Sequence, residues 1–583
     1  MTRRDRPNIL VLCMDQWDVH MDLPAGVSLP AIERLVGAGV SMESHHCTTP
    51  QCTPSRSAMW TGQHAKTIDM WDNTNFAWTG ALDTEVPTIG TMLREQGYYT
   101  AFKGKWHLSP VADDPDALEE YGFSDYQQWG DNWGGPMQGE KLDSTVAFET
   151  VDWLRHTRPT DQPWFLVSSM VNPHDVMFLR AGDDEVPHER GMVAELAHRQ
   201  QRLGFFQDFD VDLPANFHDD LADQPYGVQS YHRNIAWNYG AIPQDREDLW
   251  KVRRNYLINC LRMVDAEFQR ILDELDRQDL WKDTVVLLTS DHGEMNGGHG
   301  LAQKGAIPFQ EAALVNMTVV SPDGRRGELS DAVGSHVDLA TTFLGWAGLE
   351  GDALRERYPR LVGRDLRPVF EGPSGEAGPR GSSSQPGDGA LVMWDGLNMQ
   401  DPEWNMTGAL GAVTQLGDGP AKTAEDIRAA GEEFGAPDLT KRTFFRAVSD
   451  GRHKLVRWFS PTEYGIPRTV EALHATSDVA LYDLEADPGE LRNLGDPDRE
   501  GYDRETVARM LEKLVALVEA ELGEDEAPFD LDMFGTREVR YTADDVARGL
   551  PGFAPWPSVP GEDSPSGRST TACGRSDAGT SAR

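Results

Sequence analysis

The sequence predicts an α/β protein, with a mostly parallel central sheet flanked by helices and a smaller C-terminal α+β subdomain containing an antiparallel sheet. Three observations predict it. Apolar runs of strand length alternate with helix-period segments from residue 8 to residue 320. A Gly/Ser/Pro-rich stretch, EGPSGEAGPRGSSSQPGDGA at 371–390, then interrupts the pattern. Beyond it lie a hairpin signature and one more amphipathic helix. Alternation of strand and helix implies parallel pairing, and a hairpin implies antiparallel pairing.

Asn8–Met14 is a continuous apolar run, as expected of a strand buried on both faces. Leu29–Val40 has helical spacing and ends at a Gly-containing turn. Val86–Gln96 reads as a helix stopped by Gly97, and Tyr98–Phe102 as the strand after it. Ser144–His156 is amphipathic, and Trp164–Val171 is another apolar strand. Asp248–Asp276 places Leu257, Leu261, Val264, Phe268, Ile271 and Leu275 on one stripe, which predicts a long helix. Thr284–Thr289 and Leu314–Val320 read as strands. Residues 176–247 form an insertion that would lie over the site mouth, with histidines at 188, 198, 218 and 232. The segment 371–390 reads as a linker, and Phe444–Phe459 as a hairpin turning at Asp450-Gly451. Val507–Leu522 reads as a helix. The divisions expected are a catalytic unit over 1–370, a C-terminal subdomain over 391–535 and a largely disordered tail over 536–583.

Composition excludes several classes. The 583 residues are 39% hydrophobic and 26% charged, ordinary for a globular protein. A formal net charge of −41 argues against nucleic acid and anionic membrane as partners. It leaves room for a small anionic substrate, because a few Lys and Arg can dominate one pocket. Five cysteines, at 13, 47, 52, 260 and 573, are too sparse for a disulfide framework. The N-terminal apolar run ends in Asp15 without a cleavage site, so it reads as a strand and not a leader. The expected location is cytoplasmic. Assembly into a homo-oligomer is left open.

The chemistry-bearing residues gather after strands. Asp15, Asn172 and Asp291 each follow one directly, which would bring them to one edge of a parallel sheet. Asp15, Asp291 and His292 suit a divalent ion such as Ca²⁺ or Mn²⁺, although each aspartate alone could equally cap a helix. FKGKWHLS sets Lys105 and His107 on one side of an extended segment, a cation beside a proton carrier. VNPHD puts His174 in a turn past a strand, and Lys304 lies a short loop beyond Asp291. CTPSR, Cys52–Arg56, joins a thiol, a proline turn, a hydroxyl and a guanidinium. By itself it fits either a packed thiol or a reactive centre. Trp17, Trp60, Trp71, Trp129 and Trp133 fall near these motifs, as walls for an organic group or as core.

CTPSR matches the C-x-P-S-R signature of the sulfatase family of the alkaline-phosphatase superfamily. GKWHLS resembles that family's G-K-W-H-L-G segment, and SDHGEMNGGHGLAQKG its second metal loop. FRAVSDGRHKLVR and LYDLEADPGELRNL are similar to its C-terminal hairpin and signature. These segments run in family order from residue 7 to about 494.

The resemblance implies an alkaline-phosphatase-like fold and a sulfuric-ester hydrolase. It implies that Cys52 is converted to formylglycine by a formylglycine-generating enzyme, a transient partner that reads Pro54 and Arg56. The hydrated aldehyde has two hydroxyls, one to attack sulfur and one to expel sulfate. Asp15, Asp291, His292 and residue 52 would hold one divalent ion. Arg56 would stabilise the nucleophile, and Lys105 and Lys304 the sulfate oxygens. His107 would take the second hydroxyl's proton, and His174 would serve the leaving alcohol. The substrate would be a small-molecule sulfate ester. One departure stands out. Gln16 occupies a position where the family usually has an acid, so its amide oxygen would be a neutral ligand. Asp-Gln with Asp-His resembles the choline-sulfatase and phosphonate-monoester-hydrolase branches, which keeps Mn²⁺ beside Ca²⁺ and a phosphonate monoester or phosphodiester as the alternative substrate. GKWH is the sulfatase form.

Overall fold

A computed structural model describes residues 6–127, 130, 131, 133–182, 196, 197, 205–375, 378–381, 387–415 and 421–542. The first four strands are β1 (Asn8–Asp15), β2 (Val40–His46), β3 (Tyr99–Gly104) and β4 (Trp164–Pro173). A short parallel pair follows, β5 (Leu179–Arg180) and β6 (Leu196–Ala197). Then come β7 (Thr284–Ser290), β8 (Met317–Val320) and β9 (Glu328–Ser335). The main sheet has the order β3-β4-β1-β7-β8-β2-β9. Only β8 runs against its neighbours; the other pairs are parallel. The last four strands, β10 (Ala390–Trp394), β11 (Phe444–Ser449), β12 (His453–Phe459) and β13 (Asp478–Asp483), form a separate antiparallel sheet in that order.

The main sheet is apolar on both faces because side chains alternate along a strand. Ile9, Val11 and Cys13 of β1 point to one core, with Phe165, Val167, Val285 and Leu287. Leu10, Leu12 and Met14 point to the other, with Leu166, Val286 and Leu288. The helices that cover these faces are α1 (Pro30–Ala38), α2 (Cys52–Thr61), α3 (Ile89–Glu95) and α4 (Gln138–Asp152), while α5 (Tyr226–Tyr239) packs with the small sheet; α6 (Glu247–Arg277) and α8 (Asp338–Trp346) also cover the main sheet, and α7 (Gln310–Ala313) joins α5. The α6 stripe of Leu261, Val264, Phe268, Ile271 and Leu275 packs on the second core as its period requires. A residue from α2, Trp60, lies fully buried in the first. On the small sheet, Leu391, Val448, Leu455 and Leu481 pack against Val507, Leu511, Leu514 and Leu517 of the helix Arg504–Glu521.

Several details differ from the sequence reading. The strands β2 and β9 are absent from it, because VSMESHH and ELSDAVGS carry too many polar residues for an apolar run. β9 lies at the sheet edge, where even Leu329 is 63% exposed and only the second half of the strand is buried, so an apolar run is missing. The proline of CTPSR starts no turn. It sits in the first turn of α2, where a missing N–H costs no helical bond. Within the stretch read as a linker, Arg380 is fully buried, paired with Asp338 at 2.7 Å and Glu521 at 2.8 Å. Residues 536–542, read as tail, are largely exposed but held in place: Val539 bridges to Gly435, and the Tyr541 hydroxyl donates to Asp401 at 2.8 Å. The rest of the tail, Trp129, and His188 and His198 of the insertion lie outside the described residues. Among the described residues, no helix is long and apolar enough to cross a membrane.

Candidate active site

The carboxyl ends of β1, β3, β4 and β7 lie side by side along one edge of the sheet, and each delivers a chemical group. β1 ends in Asp15, and Gln16 follows with φ 67°. β7 is followed by Asp291 and His292, β3 by Lys105, and β4 by His174. Cys52 is the first residue of α2, so it faces the positive end of a helix.

Asp15, Cys52, Asp291 and His292 each offer a ligand atom, and these atoms lie within 4.8 Å of one another, all buried. The Cys52 Sγ is 3.3 Å from His292 Nε2 and 3.9 Å from Asp15 Oδ1. His292 Nε2 is 3.7 Å from both Asp15 Oδ1 and Asp291 Oδ1. Each carboxylate divides its work. Its Oδ1 faces this centre, while its Oδ2 binds Arg56: Nη2 to Asp15 at 2.9 Å and Nε to Asp291 at 2.8 Å. The remaining Arg56 donor, Nη1, goes to the Lys105 carbonyl at 2.8 Å and Ser169 Oγ at 2.9 Å. His292 Nδ1 donates to the Gly293 carbonyl at 3.0 Å, which leaves the Nε2 lone pair pointing inward. Two carboxylate oxygens, one imidazole and the atom at residue 52 converge, and the Cys52 thiol contacts both Asp15 Oδ1 and His292 Nε2. The donor set and its second contacts fit a divalent cation.

Cations surround the other side. Lys105 Nζ is 2.5 Å from Asp15 Oδ2. Lys304 Nζ contacts the Gln16 amide oxygen, and the Gln16 amide nitrogen contacts Glu294. A methyl group at Gly134, which has φ 101°, would come within 2.8 Å of Lys105 Nζ and 2.9 Å of His174 Cε1, so the lysine and histidine lie together beneath this loop. Gly104 is equally constrained: a side chain there would strike the Ser169 carbonyl at 1.9 Å and push Lys105 off the site. His107 is held in an unusual backbone conformation, φ 57°, by Asp131, which accepts from the His107 N–H at 2.8 Å and the Trp106 N–H at 2.9 Å.

The electrostatics follow from the packing. Burial opposes ionisation of Asp15, but Lys105 and Arg56 override it and hold its carboxyl well below the usual range. Burial and Asp15 work against a Cys52 thiolate, yet Lys105, Lys304 and His292 still bring its pKa down. Burial, reinforced by Lys105 and Arg56, keeps His107 neutral, and burial with Lys304 and Lys105 does the same for His174.

A sequence profile of the sulfatase family matches residues 7–349. The chain belongs to the sulfatase family. It is 27% identical over 376 residues to an uncharacterised sulfatase, YidJ, of Escherichia coli (strain K12), covering 59% of this chain and 68% of that protein. It is 25% identical over 407 residues to a choline-sulfatase of Rhizobium meliloti (strain 1021), covering 63% and 72%. Its fold is similar to that of the phosphonate monoester hydrolase of Agrobacterium radiobacter, with a TM-score of 0.58 at 20% identity over 88% of this chain and 96% of that one. This sulfatase is a hydrolase of sulfate esters.

The sulfatase site contains residues the motifs did not reveal. Glu294 lies within the matched metal loop; it anchors Gln16 and is itself paired with Arg253 at 2.7 Å. Asp131 and Ser169 come from a loop and a strand interior that carry no motif. Of the tryptophans, Trp60 and Trp71 belong to cores, while the Trp133 ring lies 6.5 Å from that of His107.

Proposed function

We propose that this sulfatase releases inorganic sulfate from an organic sulfate monoester, using a formylglycine made from Cys52 and one divalent ion, Ca²⁺ or Mn²⁺. The observation that carries the proposal is the cluster of four buried ligand atoms flanked by Arg56, Lys105 and Lys304. Asp15, Asp291, His292 and residue 52 would hold the ion; Gln16, expected as a neutral ligand, has its amide oxygen on Lys304 and its amide nitrogen on Glu294 instead. When present, the ion supplies Lewis acidity at the nucleophile. Formylglycine supplies a hydrated aldehyde, with one hydroxyl to attack and one to release.

The chain's own groups do the rest. Arg56 neutralises both carboxylates and fixes their inward oxygens. Lys105 and Lys304 face the developing charge on the sulfate oxygens from a dry site, where each is worth far more than in water. His107 and His174 are buried and neutral, each with an Nδ1 that has no hydrogen-bond partner among the described residues. The first accepts a proton during sulfate release, and the second hydrogen-bonds or protonates the leaving alcohol. A cytoplasmic location is supported by the free thiols of Cys13, Cys47, Cys52 and Cys260. A formylglycine-generating enzyme is a partner because the proposed conversion of Cys52 in CTPSR requires one.

Sulfate release from an aryl sulfate, beside phosphonate release from the matching aryl phosphonate monoester, tests the assignment. The sulfate is expected to turn over faster; a clear preference for the phosphonate would move the enzyme to the alternative reading. The two histidines separate the steps. His107→Ala is expected to give a burst of phenol followed by stalled turnover. His174→Ala is expected to lose more, on the order of a hundredfold, on alkyl than on activated aryl esters. Pre-steady-state kinetics read both outcomes, and equal losses on both esters for both variants would contradict these roles.

A further inference from the structure

The Gln16 amide is oriented from both ends. Its oxygen contacts Lys304 Nζ, while its nitrogen contacts Glu294 Oε2 and donates to Gln303 Oε1 at 3.3 Å. The reversed amide would set N–H groups against an ammonium and an oxygen against a carboxylate, so the neighbours fix the orientation. Glu294 is itself held in place. Its Oε1 accepts from Arg253 Nη2 at 2.7 Å, from the Gln303 N–H at 2.8 Å and from the Asn296 N–H at 3.2 Å. Arg253, Glu294, Gln16, Gln303 and Lys304 are all buried.

The backbone bends to make these contacts. Gln16, Asn296 and Gln303 have φ of 67°, 42° and 72°, in the left-handed region that residues other than glycine avoid. The Gln16 N–H donates to Asp291 Oδ1 at 3.2 Å, and the Met295 N–H to the Gln303 carbonyl at 3.0 Å. Such bonds hold the strained positions where they are. The bend at Gln303 falls immediately before Lys304.

The two lysines of the site differ in their partners. Lys105 Nζ lies 2.5 Å from the Asp15 carboxylate. Lys304 Nζ contacts two neutral atoms, the Gln16 oxygen and Met177 Sδ, the latter at 3.1 Å. Met177 also braces the bend, since its carbonyl accepts from Gln303 Nε2 at 2.8 Å. A carboxylate at position 16 would pair with Lys304 and cancel its charge. The amide fixes the ammonium without neutralising it.

We propose that Gln16 is a positioning residue and not a metal ligand: backed by Glu294 and Arg253, it holds Lys304 in place with its charge left for the sulfate oxygens. The proposal rests on the sulfatase reading and adds residues to it. Were the same amide oxygen also to bind the ion, an ammonium and a divalent cation would stand side by side in a buried site, where Coulomb repulsion is strong.

The test uses full-length enzyme carrying formylglycine and metal, with 4-nitrophenyl sulfate as the probe. Gln16→Leu is expected to keep about one ion per chain by elemental analysis, and to lose about tenfold or more in kcat/KM. Lys304→Met is expected to lose at least as much. Adding Gln16→Leu to Lys304→Met is expected to cost less than about twofold more, because the two residues act as one unit. Gln16→Met replaces the leucine variant if that one misfolds. Glu294→Gln keeps an oxygen for the Gln16 amide and Glu294→Leu does not, while both release Arg253, so the first is expected to retain several-fold more kcat/KM. Loss of the ion from a folded Gln16 variant would make Gln16 a ligand. Full multiplication of the Gln16 and Lys304 losses would show that Gln16 does not act through Lys304, and equal losses in the two Glu294 variants would remove Glu294 from the arrangement. Each of these results overturns the proposal and leaves the sulfatase reading standing. No sulfate from the wild type, with aldehyde and metal both present, overturns the sulfatase reading itself.

Discussion

Cys52→Ser is expected to leave an enzyme that completes at most one turnover and retains sulfate on the peptide spanning the CTPSR segment. The substitution is nearly isosteric. Its hydroxyl would occupy the place of a sulfur that lies 3.3 Å from His292 Nε2 and 3.9 Å from Asp15 Oδ1, with Lys105 and Lys304 still in position. Attack on sulfur therefore remains available to it. Release does not, because a serine ester has no second hydroxyl whose oxygen can form an aldehyde and expel sulfate. Mass spectrometry of the variant after incubation with an aryl sulfate measures the retained mass. The wild-type chain is expected to carry an aldehyde-reactive residue at position 52, and to be an inactive free thiol when made in a host without the modifying enzyme. A rival is built into the geometry: a thiolate at residue 52, favoured by Lys105, Lys304 and His292, would also ligate a metal or act directly as a nucleophile. Sustained turnover by the serine variant, or full activity from an unmodified cysteine, would exclude the formylglycine route.

The second large effect is on the metal. Asp291→Asn is expected to reduce bound metal from about one ion per chain to a small fraction after gel filtration, and to reduce activity by at least a hundredfold. Asp291 has two functions that both need its charge. Its Oδ1 faces the ion-binding centre, and its Oδ2 accepts from Arg56 Nε at 2.8 Å. With Gln16 neutral, Asp15 and Asp291 are the carboxylates of the set, so one substitution removes half of the fixed negative charge. Arg56 is fully buried and would be left with Asp15 alone, and a buried pair that loses one partner costs roughly 3–5 kcal/mol. Some loss of thermal stability is therefore expected together with the loss of metal. Elemental analysis of the folded fraction separates the two and distinguishes Ca²⁺ from Mn²⁺ in the wild type. Full metal occupancy in the variant would remove Asp291 from the ligand set.

Much of the fold was legible because burial on both faces writes itself into the sequence. Strands β1, β4 and β7 have no solvent side, so Asn8–Asp15, Trp164–Pro173 and Thr284–Ser290 read as near-continuous apolar runs. The long α6 stripe was legible for the same reason, at its own period. The polar strand β2 and the edge strand β9 were not, since their pairing is fixed by neighbours brought from elsewhere in the chain. The buried Arg380 was hidden too: its segment has the composition of a linker, and only its partners Asp338 and Glu521 give it a fixed place.

The sequence by itself pointed to the sulfatase family. CTPSR, GKWHLS and SDHGE match sulfatase motifs, and the resemblance proposes a nucleophile, cations and metal ligands there. Strand ends at Asp15 and Asp291 further place two carboxylates on one edge. Tertiary structure alone decided how these groups are used. It turned the Arg56 guanidinium inward between two carboxylates separated by 276 positions in the chain. It put Glu294 behind Gln16 and Asp131 beneath His107. The physical reason is one of range. Hydrogen bonds and ion pairs act over a few ångströms of space, and the distance between their partners along the chain leaves no local pattern to read.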